Sequence, residues 1–527
     1  MNTYKQSIKN KSRIQLWKHA INTVTVNRSN TRILTEEYIR ELWMYICSEE
    51  FFDSGFLNKI HFKYLNDWCE FANVTYGTKS PKELRVIYLS GPEPENDLKI
   101  LLQLGISIEN IWAVEANEEV YKKALENIKE KYPTLKIFNG IIEDFFEICP
   151  KEFDIVYLDF TAPLFSKEQK PFKTVNKLFD NQILSELGVL ITNSNVPDKE
   201  EEGVEFLTDF FLPHSNIEGT IHGLIGDNEQ PITWFGDGAG SHYGYEREVF
   251  KEKIQMNFKE AYSSFCSIYP IFYSNLVSPY YRLFNNRAAY KKFFKYPEDK
   301  LKEEIKEINT FNYLSETYFF FNSLEDYPAW SFLRSLSSSE YSIYKYWNTV
   351  FTQKENGKKF SRLESVILAD IFQKPQFWNK QLIKENLLLE IPKITESLSE
   401  YELFCDKHFS NNWFEVALNQ FGYPYHTNFK NHKRFEYTAK VRTMFIDVFT
   451  FDRCRSFYDW LPMLEFYSND LSKAERQIIA RICIDKLGGK QSTFTFLPTY
   501  TGTNIGGIGQ IGSEEFVDKV PLRVEIN

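Results

Sequence analysis

The chain has 527 residues, 43% hydrophobic and 25% charged, which is the composition of a globular protein of several domains and excludes a disordered one. A net charge of -10 excludes a general nucleic-acid coat and leaves only local basic grooves for such a partner. No apolar run reaches the length of a membrane span, the first residues are polar, and the seven cysteines (Cys47, Cys69, Cys149, Cys266, Cys405, Cys454, Cys483) form no Cys-x-x-Cys pair, so the expectation is a cytoplasmic, reduced protein with no metal site.

Residues 1–80 read as a helical segment. Lys5, Lys9, Lys11, Arg13 and Lys18 make its start basic, as either a solvated helix face or a phosphate-contacting arm, with the solvated face the ordinary reading. Thr35 is placed as the N-cap of a helix that buries Tyr38, Leu42, Trp43 and Ile46. Gly77, Ser80 and Pro81 mark a linker before the next element.

From Leu84 to Phe160 short apolar runs alternate with helical spacing. The first run, Leu84 to Leu89, stops at Ser90-Gly91-Pro92-Glu93-Pro94, and a helix follows from Asn96 to Leu104. The second, Ile111 to Val114, closes on Glu115 and leads into a helix from Glu118 to Lys131, with Val120, Tyr121, Ala124, Leu125 and Ile128 on one face. The third, Leu135 to Phe138, precedes Glu143-Asp144, and the fourth, Phe153 to Leu158, ends at Asp159-Phe160. This rhythm predicts a parallel sheet with right-handed crossovers, covered on both faces because its strands are almost continuously apolar. Ligands of such sheets sit beyond the strands' carboxyl ends, where Ser90, Gly91, Glu115, Glu143, Asp144 and Asp159 gather. An acid after the second strand is placed to hold the two hydroxyls of a ribose.

Val114-Glu115-Ala116-Asn117, followed by Tyr121, Ala124, Leu125 and Asn127, resembles the second-strand segment of the class I S-adenosylmethionine-dependent methyltransferases. Leu187-Gly188-Val189-Leu190-Ile191-Thr192-Asn193 resembles their fifth strand, and the likeness spans roughly residues 80–240. It implies S-adenosylmethionine as cofactor, with Ser90, Gly91, Glu93, Glu115, Ala116, Glu143, Asp144 and Asp159 as its contacts. Glu115 would take the ribose and Glu143 or Asp144 the adenine amino group. It also implies Asp159 and Thr161 at the catalytic centre. Two features depart from the family's pattern. The first loop carries one glycine between two prolines and is acidic, which suits a sulfonium better than a pyrophosphate. The fourth motif reads Asp159-Phe160-Thr161-Ala162-Pro163 instead of the Pro-Pro-aromatic form of base amino-methylating enzymes.

After Asp159 a Lys-rich helical segment from Ser166 to Leu187 leads to the fifth strand, and a helix follows from Glu201 to Phe211. Gly219 to Ile225 and Pro231 to Phe235 are expected to be the last two strands, before a glycine-dense boundary at 236–244. From Glu246 to Leu487 helical patterns dominate. Two stretches there interleave basic residues with rings or cluster them, Tyr281 to Lys295 and Lys430 to Arg442, and are the candidate nucleic-acid contacts, against the ordinary reading of buried rings with solvated charges. Asp447, Asp452, Arg453 and Arg455 read as paired charges supporting the fold, with a site as the alternative. The tail, with Gly507-x-Gly509-x-x-Gly512, lies too near the end to open a dinucleotide-binding unit and reads as a loop between strands at Thr493 to Tyr500 and Val517 to Ile526.

The expected architecture is therefore an α/β Rossmann-like domain at 81–240, an N-terminal helical segment at 1–80, a mostly α-helical domain at 241–487 and a β tail at 488–527. The expected function is a divergent methyltransferase that acts on or binds nucleic acid. The alternative is an inactive methyltransferase fold serving as a binding or scaffold subunit with other protein subunits, as in a defence complex.

Overall fold

The computed structural model describes residues 7–40, 62–211, 247–288, 291, 298–307, 349–373, 424–439, 441–458 and 521–526. Its centre is one sheet in the order β3-β2-β1-β4-β5-β8-β7-β9, with β6 beside β8. The parallel part is β1 (Val86–Leu89), β2 (Ile111–Glu115), β3 (Lys136–Asn139), β4 (Phe153–Asp159) and β5 (Leu184–Asn195). These are the five apolar runs of the sequence, in the Rossmann-like order 3-2-1-4-5.

The rest of the sheet comes from a distant part of the chain. β8 (Arg442–Asp452) pairs antiparallel with β5 over nine positions, from Leu187↔Asp452 to Asn195↔Met444. β7 (Lys433–Ala439) pairs antiparallel with β8, β9 (Val524–Glu525) runs parallel to β7, and β6 (His426–Thr427) pairs with β8. Residues 433–452, read from the sequence within a helix-dominated region, thus form two sheet strands. Buried on both faces and apolar without a break at Met444-Phe445-Ile446, β8 offers no two-residue alternation to set it apart from a buried helix. The strands expected at 219–225 and 231–235 lie outside the described residues, as does the first strand expected in the tail.

The helix-to-strand boundaries shift where the local chemistry dictates. The helix expected from Ser166 to Leu187 covers only Pro171–Asp180. Lys170 in the left-handed region at φ 50° and Pro171 in the first turn fix its start, and Gln182 at φ 51° turns the chain into β5. The helix Glu201–Phe211 falls where the sequence placed it. Thr35 accepts the Tyr38 amide at 3.2 Å as an N-cap should, although Ile39, and not Tyr38, is the buried residue of that turn. Residues 42, 43 and 46 lie outside the described residues.

Strand alternation divides the core into two faces. On one face, Val86, Tyr88, Ile111, Ala113, Ile155, Tyr157, Val189, Ile191, Tyr437, Ile446 and Val448 pack against Leu16, Trp17, Ala20, Ile21 and Val24 of the N-terminal helix Ser7–Val24 and against Leu98 and Leu101 of the helix Glu95–Gln103. On the other face, rings of the helices Pro171–Asp180 and Phe258–Phe272 meet the sheet, with Phe179 5.1 Å from Phe451 and Tyr262 6.0 Å from Phe445, and meet each other, with Phe172 4.7 Å from Tyr269. Among the described residues these rings are spent on core packing.

Candidate functional site

In an open sheet the ligand crevice opens where strand order reverses, here between β1 and β4. Each strand's alternation fixes what reaches that rim. Val86 and Tyr88 face the N-terminal helix, so Ser90, two residues on, continues their face; Ala113 leads in the same way to Glu115, Tyr157 to Asp159, and Ile191 to Asn193. The pairings Tyr88↔Ala113, Tyr88↔Tyr157 and Asp159↔Asn193 align these ends. Ser90, Glu115 and Asp159, all named from the sequence, therefore share one face at one rim, and Asn193 joins them.

The first loop turns at Gly91, whose φ of 61° is the left-handed conformation a glycine adopts without strain. The Ser90 amide donates to Val114 O at 3.1 Å, the Tyr88 hydroxyl donates to Pro94 O at 2.8 Å, and Asn127 donates to Pro92 O at 2.8 Å. The loop is held from three sides. Glu93 accepts from Asn96 at 3.0 Å and is half-buried. Glu115 is half-buried with Oε1 accepting the Asn117 amide at 2.8 Å, and Ala116 is exposed beside it. Asn117 caps the helix Glu118–Ile128 through the amides of Glu119 and Val120.

Glu143 and Asp144 part company in the first turn of the helix Ile142–Ile148. Glu143 is buried, its carboxylate accepting the Thr174 hydroxyl, while Asp144 is exposed. Thr161 is exposed, and its hydroxyl accepts from Gln169 at 2.6 Å. Asp159 is half-buried and accepts from Asn193 Nδ2 at 2.6 Å; the same nitrogen lies 3.0 Å from the Tyr437 hydroxyl.

Sequence reasoning missed several groups that the fold brings to this rim. Arg13, read as part of a basic solvated face, is only 7% exposed. Its Nε lies 3.3 Å from Asp97, which is 4% exposed and also accepts from Trp17 Nε1 at 2.8 Å. Burial works against the charge of Arg13, but Asp97, Tyr157, Asp159 and Tyr437 outweigh it and hold the guanidinium protonated. Burial raises the Asp97 carboxyl above its ordinary range even though Arg13 opposes the shift. The sequence signal for Arg13 was its place, four residues before the buried Trp17 on one helix. Asn193 and Tyr437 carried no local signal.

The two basic stretches fare differently. Tyr280, Tyr281 and Phe284 are buried, and Arg282 donates to Phe179 O at 2.6 Å, so this part of the 281–295 stretch is core and cannot stack on bases; residues 289, 290 and 292–295 lie outside the described residues. In the second stretch Lys430, Lys433 and Arg442 are exposed, whereas His432 and Arg434 are buried around Asp447. Arg523 also pairs with Asp447, so this cluster supports the fold as paired charges. Among the described residues no His, Cys, Asp and Glu group has the arrangement of a metal site, and no helix is long and apolar enough to cross a membrane.

No family model matches the chain, and no curated protein matches it. Solved structures are similar in part. A conserved hypothetical protein of Streptococcus pyogenes matches at 18% identity and TM-score 0.19, over 22% of this chain and 72% of its own. An S-adenosylmethionine-dependent methyltransferase from Clostridium acetobutylicum matches at 18% identity and TM-score 0.18, over 26% of this chain and 52% of its own. A proposed RNA methyltransferase, PH1948, from Pyrococcus horikoshii matches at 20% identity and TM-score 0.16, over 30% of this chain and 74% of its own. At these TM-scores the likenesses carry no argument about this chain. What the site does is argued from its own geometry.

Proposed function

We propose that this chain is a divergent S-adenosylmethionine-dependent methyltransferase whose cofactor lies across the carboxyl ends of β1, β2 and β4. The observation that carries the reading is the shared face and shared rim of Ser90, Glu115 and Asp159 at the point where strand order reverses. The donor set fits the cofactor. Glu115 keeps a second carboxylate oxygen beyond the one its own loop uses, suited to a ribose diol. Asp144 is exposed in the position given to the adenine amino group, while Glu143 is held by Thr174. A stiff, acidic first loop complements a sulfonium and not a phosphate.

The cofactor, when bound, supplies an electrophilic methyl group. The chain's part is positioning: Glu115 and the held first loop fix the nucleoside, and Asp159, oriented by Asn193, faces the acceptor. Thr161 lies on the next loop as a further contact. Nucleic acid is the proposed acceptor class, with exposed Lys430, Lys433 and Arg442 as its phosphate contacts. One observation favours the inactive-scaffold reading, in that Thr161 and Asp159 are both engaged by neutral amides and neither is paired with a base.

Calorimetry with S-adenosylmethionine separates the two. The enzymatic reading expects binding that Glu115→Ala abolishes while the melting temperature stays within a few degrees. A chain that does not bind, or a variant that binds as well as the wild type, removes the cofactor reading.

A further inference from the structure

The N-terminal helix does more than cover the sheet. Trp17 packs edge-on against Tyr157 at 5.5 Å and Tyr88 at 6.4 Å, on β4, which ends at Asp159, and β1, which leads into Ser90. Arg13 stands one turn earlier on that helix, beside Asp97 in the first turn of the helix after β1. Asp97 opens the helix that follows β1, so the pair stands at the carboxyl-end rim, where Asp159 and Tyr437 add to the pull on the Arg13 charge.

Two polar atoms there have no hydrogen-bond partner. Arg13 Nη1 is a buried donor left unpaired, and Asn193 Oδ1, on the residue that holds Asp159, is a buried acceptor left unpaired. A buried donor or acceptor without a partner costs on the order of 1–3 kcal/mol, and more when charged. A ligand at this rim with an acceptor for the one and a donor for the other would complete both. The charges have a pattern too: one guanidinium is paired with the carboxylate of Asp97 and feels that of Asp159. An α-amino acid carries the complementary pair, a carboxylate and an ammonium.

We propose that Arg13 is the carboxylate-binding residue of this site, gripping the α-carboxylate of an aminoacyl arm on the bound nucleoside while Asp159 and Asn193 Oδ1 face its ammonium. The inference rests on the adenosyl reading above and deepens it. Selectivity follows from it. A nucleoside bearing an amino acid satisfies the buried donor, and one lacking that arm leaves it unpaired. The N-terminal segment becomes part of the binding site.

The test compares two neutral thioether ligands, S-adenosylhomocysteine and 5′-methylthioadenosine, which share the adenosyl group and differ in the aminoacyl arm. Arg13→Met is expected to weaken S-adenosylhomocysteine by about tenfold or more and to leave 5′-methylthioadenosine within about twofold. Arg13→Lys, which keeps the charge but not the planar fork, is expected to fall between. Because Arg13→Met strands the buried Asp97, the double variant Arg13→Met/Asp97→Asn removes both charges together and is expected to show the same selective loss in a folded chain. Equal weakening of both ligands, or equal affinity for both in the wild type, overturns the role of Arg13 and leaves the adenosyl reading standing. A wild-type chain that binds neither ligand overturns both.

Discussion

Asp452 offers a quantitative check on how the N-terminal segment is tied to the sheet. It sits at the end of β8, fully buried, and accepts from the Ile33 amide at 2.8 Å, the Tyr76 hydroxyl at 2.7 Å and the Cys454 amide at 2.8 Å. Two of these donors come from residues more than 370 positions away. Burial raises its carboxyl to about 6, against the opposing pull of those hydrogen bonds. The sign follows from linkage. A carboxyl whose folded value lies above its unfolded value holds its proton longer in the folded chain, so its contribution to stability is fully present below the unfolded value near 3.8 and is lost as pH rises through about 6. The shift of roughly two units corresponds to about 3 kcal/mol, most of it, about 2 kcal/mol, falling between pH 4 and pH 7. Asp452→Asn removes the titration and one acceptor oxygen. Urea unfolding of both chains should show the variant less stable at pH 4, with the gap narrowing by about 2 kcal/mol at pH 7. A gap that stays constant or widens with pH refutes the burial argument.

Asp447, five residues earlier on the opposite face of the same strand, should behave in the opposite sense. Burial pushes its carboxyl up, but Arg523, His432 and Arg434 prevail and hold it well below the ordinary range, so its contribution is present at neutral pH and is lost only as pH falls below about 4; Asp447→Asn should lose most of its cost in acid unfolding. Arg362, 1% exposed, donates to Asp180, Tyr273 and Glu355, and Arg362→Met leaves Asp180 buried without its cation, which should cost about 3–5 kcal/mol in chemical denaturation. A Cβ at Gly188 would stand 3.2 Å from Leu184 Cδ2 and 3.4 Å from Asp154 O, so Gly188→Ala should lower the unfolding free energy by about 1–3 kcal/mol in urea denaturation. If nucleic acid is the acceptor, changing Lys430, Lys433 and Arg442 together to Ala should weaken single-stranded RNA binding in fluorescence anisotropy and flatten its salt dependence by about two to three units of slope. Tyr281→Ala, at a buried ring, should lower stability and leave that slope unchanged.

Local pattern was enough for the parallel half of the sheet. Five apolar runs, the first four leading to Ser90-Gly91, Glu115, Glu143-Asp144 and Asp159, specify strands and their rims, because side-chain alternation and turn chemistry act within a few residues. That was sufficient to name Ser90, Glu115 and Asp159 as neighbours before any pairing was known. Local pattern was not enough for Glu143. Its neighbour Asp144 carries the same charge, and only the approach of Thr174 decides which of the two turns inward.

The sequence by itself determined the order of strands and helices through Asn195 and the acids at their ends. Only the tertiary structure decided what completes the sheet and what closes the rim. β8 crosses some 250 residues of chain to pair with β5, and Arg13 reaches Asp97 on a helix that lies beyond β1 in the chain. Neither contact leaves a periodic trace, because each is set by burial between surfaces distant in the chain. A strand covered on both faces looks like any apolar run, and a buried arginine looks like any basic one, until the partner that desolvates it is in place.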